Sequence, residues 1–284
     1  MVQCMLSIED HNRESAGLTY VYPVVSRRAK GLSIGINLNP NNACNWACVY
    51  CQVPNLVRGS APPVDLLKLE MELTKFLREV LYGDFLERQV PDWARRLNDI
   101  ALSGNGEPTS AKEFEKIVEI LGQAMQVFDL LGRIGLILIT NGSQIHRVSV
   151  QSGLKRLGNL GGEVWFKLDR VTSEGVTSVN GIKNSTKRVL ENLSIASSLC
   201  PTWIQSCFFT IDGSPPSSIE REAYLEVLNH LKKVSMPIAG ILLYGLARPS
   251  MQPEASRLSN IDPDWMQSLA KDIQSLGYHV KLTQ

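Results

Sequence analysis

The sequence predicts an α/β fold in which a parallel sheet curls into a partial (β/α)6 barrel, similar in plan to a TIM barrel. Six short runs of β-branched and apolar residues alternate with longer segments of helical period along the 284 residues. Strands that are joined through helices form parallel sheets with right-handed crossovers. Polar residues also gather directly after the first four of these six runs, and barrels carry their functional residues at the carboxyl ends of the strands.

The strands are predicted from apolar runs that end in turn residues. The run at 134–140 is apolar at both sets of alternating positions, which is typical of a strand that is covered on both faces. The others are shorter but follow the same rule. The six predicted strands cover residues 33–38, 99–102, 134–140, 163–168, 203–209 and 238–244.

The helices are predicted from apolar residues spaced three and four apart. The segment 65–81 repeats leucine, phenylalanine and valine at this spacing. Ser110 and Glu113 have the spacing of a capping box, which predicts a helix start at Ser110. Asp262 and Pro263 predict an N-cap and first turn for a last helix that runs to about residue 276. Two further helices are predicted over residues 185–196 and 219–232.

Composition predicts an intracellular enzyme. The 29 basic residues nearly balance the 28 acidic ones, which gives no overall electrostatic case for nucleic acid or an anionic membrane. The six cysteines are too few and too unevenly placed for a secreted disulfide framework. No apolar stretch reaches the roughly 18 residues that a membrane span needs. We expect a cytoplasmic protein with an N-terminal extension (1–30) and one catalytic domain (31–284) that ends in a helix and a strand.

Three cysteines follow the first predicted strand. Cys44, Cys48 and Cys51 are spaced C-x3-C-x2-C. Four thiolates would complete a [4Fe–4S] cluster, so three leave one iron open to an outside ligand, as a catalyst requires. Two alternatives stay open at this stage. One is a structural zinc site, and the other is an iron–sulfur protein for electron transfer or redox sensing.

A second polar segment follows the second predicted strand. It reads Ser-Gly-Asn-Gly-Glu-Pro-Thr over residues 103–109. Glycines let the backbone approach a ligand closely, and Pro108 fixes the turn. An electron carrier needs neither an open iron nor such a loop, so the segment favours a catalytic site.

Together these motifs resemble the radical S-adenosylmethionine (radical SAM) superfamily, whose C-x3-C-x-aromatic-C signature is met by Cys44, Cys48, Tyr50 and Cys51. The resemblance implies a [4Fe–4S] cluster on the three cysteines and S-adenosylmethionine as cofactor. It implies reductive cleavage of that cofactor to a 5′-deoxyadenosyl radical, which abstracts hydrogen from a substrate. It also implies that a loop formed by Gly104, Asn105, Gly106, Glu107 and Pro108 binds the amino group of the methionine moiety through backbone carbonyls.

The resemblance extends over nearly the whole chain to a bacterial group that is similar to wyosine-type tRNA synthetases. It is carried by residues 20–28, 35–52, 167–169 and 243–250. It implies a tRNA base as substrate and a reductant such as flavodoxin or ferredoxin. A small molecule or a peptide is the alternative substrate. The synthetases carry three further N-terminal cysteines for a second cluster, whereas only Cys4 precedes Cys44 here.

Other strand-end residues are weaker candidates with two interpretations each. Asn141 contacts the cofactor ribose or forms an Asn-Gly turn. Lys167 and Asp169 meet cofactor or substrate, or form a buried ion pair. Arg248 binds a carboxylate or phosphate, or pairs with a surface acid. Gln205 is a cofactor or substrate contact if its strand face points into the barrel. The catalytic candidates are Lys167, Asp169 and Arg248, and the cofactor-binding candidates are Tyr50, Gly104, Asn105, Gly106, Glu107, Pro108, Asn141 and Gln205.

The remaining cysteines are interpreted as small buried thiols. Cys200 and Cys207 are separated by six residues, an extended span of roughly 20 Å that one cluster does not bridge. Trp46, inside the cysteine motif, is expected to shield the cluster from water. A set of basic residues either forms a patch for RNA backbone or, at Lys187 and Arg188, the solvated face of a helix: Arg27, Arg28, Lys30, Lys183, Lys187 and Arg188.

Overall fold

The computed structural model describes residues 5–8, 13, 16–26, 30–183 and 186–283. Its strands, in chain order, are β1 Val21–Ser26, β2 Gly31–Ile36, β3 Ala43–Cys44, β4 Val57–Arg58, β5 Leu97–Leu102, β6 Gly135–Thr140, β7 Glu163–Lys167, β8 Thr202–Cys207, β9 Thr210–Ile211, β10 Ile238–Tyr244, β11 Leu258–Ser259 and β12 Val280–Thr283. Its helices are α1 Leu66–Tyr82, α2 Phe85–Gln89, α3 Phe114–Val127, α4 Val148–Asn159, α5 Ser173–Asn180, α6 Thr186–Leu199, α7 Ser218–Lys233 and α8 Pro263–Ser275. Single 3-10 turns lie at Asp92–Ala94, Pro108–Ser110 and Pro253–Arg257.

Eight strands form one curled sheet in the order β1-β2-β5-β6-β7-β8-β10-β12. Strand β1 is antiparallel to β2, whereas the neighbours from β2 to β12 are parallel. Because β1 and β12 are the two ends of this order, the sheet is a half-barrel rather than a closed one. The six predicted strands are β2, β5, β6, β7, β8 and β10, which are consecutive neighbours, and the predicted partial barrel is confirmed.

The helices cover the outer face of the sheet and the inner face surrounds a cavity. In α1 the residues Leu69, Leu73 and Leu77 have no exposed surface, so the apolar stripe predicted from the sequence is the one that packs on the strands. The helix begins after Asp65, whose carboxylate accepts a hydrogen bond from the Lys68 backbone N at 3.0 Å. Asp262 caps α8 as predicted, through the backbone N atoms of Asp264 and Trp265.

The predicted capping box at Ser110 and Glu113 is wrong. Ser110 ends a 3-10 turn, and its hydroxyl donates to the Glu107 carbonyl at 2.7 Å. The next helix, α3, begins only at Phe114, with no side-chain cap from Glu113. Both side chains serve the segment before α1 instead: the Ala61 backbone N donates to Ser110 Oγ at 2.9 Å and the Val64 N to Glu113 Oε2 at 3.5 Å. These long-range hydrogen bonds replace the local ones that a capping box would form.

Several elements extend the predicted set, among them β1, α4 and α5. Strand β1 lies within the predicted N-terminal extension and pairs with β2 from Val21↔Ile36 to Ser26↔Gly31. Helix α4 buries Val150, Leu154 and Leu157 at helical spacing, so the sequence carried a signal for it, whereas α5 has only eight residues. Among the residues that the structure describes, no helix has the length and apolar character to cross a membrane.

Candidate functional site

A cavity of about 320 Å³ opens among the loops at the carboxyl ends of the parallel strands. Two loops form its mouth: the cysteine loop, residues 42–53, which follows β2, and the glycine loop, residues 103–109, which follows β5. Side chains from the inner face of the half-barrel form its interior. This cavity is lined by the three cysteines and by the glycine loop from Ser103 to Glu107. It is also lined by every remaining predicted site residue except Pro108 and Asp169. The other lining residues include Arg13, Tyr22, Trp46, Asp99, Trp165 and Tyr244.

The cysteine loop is attached to the C-terminal end of α5. The backbone N atoms of Ala47 and Val49 donate to the carbonyls of Asn180 (3.1 Å) and Val179 (2.9 Å). These carbonyls would otherwise lack partners at the end of a helix. Gly181 then turns away in the left-handed conformation, with φ +65, so close to the loop that an added β-carbon would lie 2.7 Å from the Ala47 carbonyl oxygen.

A segment after β10 holds the other half of the cysteine loop. Ser250 Oγ donates to the Val49 carbonyl at 2.7 Å. The Met251 backbone N donates to the Cys51 carbonyl at 2.9 Å, and Gln252 Nε2 donates to the Val53 carbonyl at 2.8 Å. The loop is therefore fixed mainly by its backbone, which leaves the cysteine side chains available to a ligand.

All three cysteine side chains are half-buried and line the cavity. Burial raises the pKa of Cys44 to about 11 and that of Cys48 to about 12. Two sulfurs already receive hydrogen bonds: the Trp46 backbone N donates to Cys44 Sγ at 3.5 Å and Asn180 Nδ2 to Cys48 Sγ at 3.3 Å. Such donors stabilise a thiolate when a metal displaces its proton.

In the described part of the chain, no three Cys, His, Asp or Glu side chains are grouped as ligands of a single metal ion. The thiolates of an iron–sulfur cluster bind different irons, so their spacing is wider than that of ligands around one ion.

The glycine loop depends on the buried carboxylate of Glu107. Its oxygens accept hydrogen bonds from the backbone N atoms of Thr109 (3.0 Å) and Asn141 (2.7 Å) and from Thr140 Oγ1 (2.6 Å). The Thr109 hydroxyl is a fourth donor. Burial raises the pKa of Glu107 above its ordinary value, which these donors partly offset. Glu107 therefore holds the loop and does not present its carboxylate to the cavity as a free base.

The two glycines allow the glycine loop to lie against the cysteine loop. A β-carbon at Gly106 would collide with the Ala43 carbonyl oxygen, and one at Gly104 would lie 2.7 Å from the Asn37 Cα. Between them, the Asn105 backbone N donates to Asn37 Oδ1 at 3.0 Å, and Asn105 Nδ2 donates to Asn42 Oδ1 at 2.6 Å. Asn105 Oδ1 is buried and has no hydrogen-bond partner among the described residues.

Asn141 forms the predicted turn and also lies at the cavity. Its Oδ1 accepts from the Ser143 backbone N at 3.0 Å, which is the geometry of an Asx turn. Its Nδ2 donates to Asn45 Oδ1 in the cysteine loop at 2.9 Å. Asn141 also lines the cavity, so the turn presents its side chain to the site.

Lys167 and Asp169 form the predicted ion pair, with 3.6 Å between Nζ and Oδ1. Lys167 Nζ also donates to the Tyr244 hydroxyl at 2.8 Å. Although burial alone would lower the pKa of Lys167, the Asp169 carboxylate raises it above its ordinary value. Lys167 therefore remains an ammonium group that lines the cavity.

Asp169 itself faces the cysteine loop and not the cavity. It accepts hydrogen bonds from the Tyr50 hydroxyl at 2.5 Å, the Cys207 backbone N at 2.9 Å and Asn180 Nδ2 at 2.9 Å. The pKa of Tyr50 is raised mainly by burial and next by the Asp169 carboxylate, so the phenol keeps its proton and donates a hydrogen bond. Asp169 is 1% exposed, which assigns it an orienting position behind the site.

The other candidates fall into two groups. Gln205 and Cys207 both line the cavity, so their strand face does point into the half-barrel, and Arg248 lines it as well. Cys200 and Cys207 are 3% and 1% exposed, and burial raises the pKa of each thiol to about 12. Cys4, Arg27 and Arg28 lie outside the described residues, whereas the other basic residues of the predicted patch are exposed: Lys30, Lys183, Lys187 and Arg188.

Sequence reasoning missed Asn180, Tyr244 and Trp165 as residues of the site. Tyr244 and Trp165 lie on predicted strands at positions whose alternation points inward, which was a usable signal. For Asn180 the local signals were Thr172, whose side chain caps α5, and Gly181, which ends it.

The family model described as the radical SAM superfamily matches residues 38–228, which is more than half of the chain. The matched region includes both loops of the cavity mouth and the inner-face residues from β5 to β8. The chain belongs to the radical SAM superfamily. It is therefore a radical SAM enzyme, and the cofactors of this superfamily are a [4Fe–4S] cluster and S-adenosylmethionine.

Curated relatives are distant. A UPF0026 protein of Synechocystis sp. is 24% identical over 77% of this chain and 74% of its own length. A UPF0026 protein of Methanocaldococcus jannaschii is 30% identical over 56% of this chain and 42% of its own length. A protein named GTPase Obg of Brachyspira hyodysenteriae is 28% identical over 46% of this chain, and the match spans only 17% of its length.

Solved structures share the fold. TYW1 with a lysine-pyruvate adduct bound has a TM-score of 0.54 and 15% identity, covering 86% of this chain and 73% of that one. Streptococcus suis SuiB bound to S-adenosylmethionine has a TM-score of 0.55 and 12% identity, covering 89% and 47%. A spore photoproduct lyase mutant has a TM-score of 0.55 and 10% identity, covering 85% and 74%.

The residues present fit the cofactors of the family. Three cavity-facing thiols at C-x3-C-x2-C spacing supply the soft ligands that iron–sulfur clusters prefer. The glycine loop packs so closely on Asn37 and Ala43 that Gly104 and Gly106 have no room for a β-carbon, and its residues from Ser103 to Glu107 line the cavity. The unpartnered Asn105 Oδ1 is a ready acceptor beside it.

Proposed function

We propose that Cys44, Cys48 and Cys51 bind the cluster and that the glycine loop binds the methionine part of S-adenosylmethionine. The observation that carries this proposal is that both loops line one cavity at the carboxyl end of the half-barrel. When bound, the cluster and S-adenosylmethionine supply a 5′-deoxyadenosyl radical that abstracts hydrogen from the substrate.

The chain's own residues orient these groups and exclude water. Glu107 fixes the glycine loop against the end of β6, so that backbone carbonyls can face an ammonium group. Trp46, which is 7% exposed and lines the cavity, covers the cysteine loop from solvent. Lys167 presents a fixed positive charge to a carboxylate or phosphate in the cavity. Together they favour a dry site in which a reactive group meets only its substrate.

For the substrate, we infer a base of tRNA. Aromatic rings of Trp46, Tyr50, Trp165 and Tyr244 line the cavity, and such rings stack on a base that has been turned out of its helix. The fold likeness to TYW1 is consistent with this inference.

The lysine-pyruvate adduct named for TYW1 raises the question of whether a lysine here does the same. Lys167 lines this cavity, but Asp169 and Tyr244 hold it as an ammonium ion. An ammonium ion is not a nucleophile, so we propose Lys167 as a charge partner and not as the site of an adduct.

A small anionic molecule is the second candidate substrate. The cavity of about 320 Å³ carries Arg13, Lys167 and Arg248 on its lining, a set of cations that suits a carboxylate or phosphate. A role in electron transfer alone would leave the cavity and the glycine loop without a purpose. The electron is proposed to come from flavodoxin or ferredoxin, in the cytoplasm.

The test is formation of 5′-deoxyadenosine by anaerobically reconstituted protein with dithionite and S-adenosylmethionine, with and without total tRNA. We expect product, and more of it with tRNA. Product that tRNA does not increase would favour the small-molecule substrate. A full cluster that yields no product under either condition would contradict the proposal. A Cys200→Ala protein is the matched control, because Cys200 is a buried cysteine outside the cavity lining.

A further inference from the structure

The side-chain amide of Asn180 is shared between Cys48 and Asp169. Its Nδ2 lies 3.3 Å from Cys48 Sγ and 2.9 Å from Asp169 Oδ2, so each of its two protons has an acceptor. Asn180 is 1% exposed, and water does not compete for these bonds. The arrangement spans 132 residues between Asn180 and Cys48 and is not a product of local chain geometry.

The orientation of this amide is fixed from two sides. Asp169 is held in turn by the Tyr50 hydroxyl at 2.5 Å and the Cys207 backbone N at 2.9 Å, so its carboxylate cannot rotate away. The backbone carbonyl of Asn180 accepts from the Ala47 N at 3.1 Å, which ties the residue to the cysteine loop. The amide is therefore pre-oriented to donate to the Cys48 sulfur.

We propose that Asn180 is a positioning residue that sets the reduction potential of the cluster through its hydrogen bond to Cys48. The inference rests on the proposed cysteine ligands. Hydrogen bonds to cysteine sulfur are one of the terms that determine the potential of an iron–sulfur cluster. The reduced cluster carries one more negative charge, so a donor stabilises it more than the oxidised cluster and raises the potential.

The experiment is a redox titration of reconstituted protein without S-adenosylmethionine, followed by electron paramagnetic resonance of the reduced cluster. Asn180→Leu removes both donors while keeping a side chain of similar size. We expect an unchanged iron content and a midpoint potential that shifts to more negative values. Asn192→Leu is the matched control. Asn192 is 4% exposed and its side-chain amide donates to the Gly142 carbonyl at 2.8 Å, so this variant loses a buried hydrogen bond that does not involve a cysteine.

An Asn180→Leu protein with a full cluster at the wild-type potential would overturn this inference alone. Wild-type protein that holds no [4Fe–4S] cluster would overturn the proposed function and this inference with it. If Asn180→Leu does not retain a cluster, the hydrogen bond is tested in wild-type protein labelled with ¹⁵N at asparagine side chains, by double resonance. A ¹⁵N coupling to the reduced cluster supports the hydrogen bond, and its absence rejects it.

Discussion

The two loops at the cavity mouth are held in opposite ways. The cysteine loop has several separate attachments: to the end of α5 through Val179 and Asn180, and to the segment of Ser250 and Gln252. The glycine loop concentrates four hydrogen bonds on one side chain, the carboxylate of Glu107, and Asn105 adds one bond each to Asn37 and Asn42. A distributed set of contacts tolerates single losses, whereas a single buried carboxylate does not. Substitutions in the two loops should therefore behave differently.

The largest effect is expected at a proposed ligand. Cys48→Ala should remove the cluster, because it deletes one of the three proposed thiolate ligands. Activity should fall by more than about 100-fold, the upper end of what loss of a residue that only orients a ligand costs. Iron and sulfide analysis of reconstituted protein measures it, and a brown, fully active Cys48→Ala protein would refute the ligand assignment.

Glu107→Gln should have the next largest effect and should test the single-carboxylate side of the comparison. The amide nitrogen of glutamine would face the Asn141 backbone N, so two donors would oppose each other. We expect a loss of about 2 kcal/mol in the free energy of unfolding. Urea denaturation of the apoprotein measures it. Calorimetric binding of S-adenosylmethionine to loaded protein should weaken as well. An unchanged unfolding free energy would show that the loop does not depend on this carboxylate.

Gln252→Ala should have a smaller effect and test the distributed side. It removes the bonds from Nε2 to the Cys51 and Val53 carbonyls, at 3.1 and 2.8 Å, while Ser250 and the Met251 backbone keep their contacts. We expect a loss of about 1 kcal/mol in stability. The iron content should match that of wild type. A Gln252→Ala protein without cluster would mean that the loop is no more tolerant than the glycine loop.

Cys200→Ala should have the smallest effect. Cys200 donates from Sγ to the Gly162 carbonyl at 3.3 Å and does not line the cavity. Because burial raises the pKa of this thiol to about 12, it stays protonated and unreactive at neutral pH. Cluster content should be unchanged, and iodoacetamide should not label Cys200 in the folded protein. Loss of the cluster in Cys200→Ala would contradict the interpretation of Cys200 as a small buried thiol.

The parts of the site that the sequence could predict are those that are contiguous in it. The cysteine spacing and the Gly-Asn-Gly-Glu-Pro segment are read directly from neighbouring residues, and the parallel order of β2 to β10 follows from alternating runs. The contacts that hold these parts come from far away: Asn180 meets Cys48 across 132 residues, and Ser250 meets Val49 across 201. No local pattern contains such a pairing.

The wrong capping box has the same cause. Ser110 and Glu113 have the right residue types at the right spacing, but the Ala61 and Val64 amides occupy both side chains. The role of Glu107 was hidden for a related reason. A glutamate in a ligand-binding loop suggests contact with the ligand, whereas the carboxylate turns inward to Thr140 and Asn141.

The attachments of the cysteine loop also bear on the order of events during synthesis. A chain is made from its N-terminus, and early segments can fold before later ones exist. Cys51 is the last of the three cysteines to emerge, yet the contacts of Ser250, Met251 and Gln252 with this loop require some two hundred further residues. The proposed cluster-binding loop is thus synthesised early but receives its last contacts late, so a nascent chain exposes its three thiols before the residues that bury them have been made.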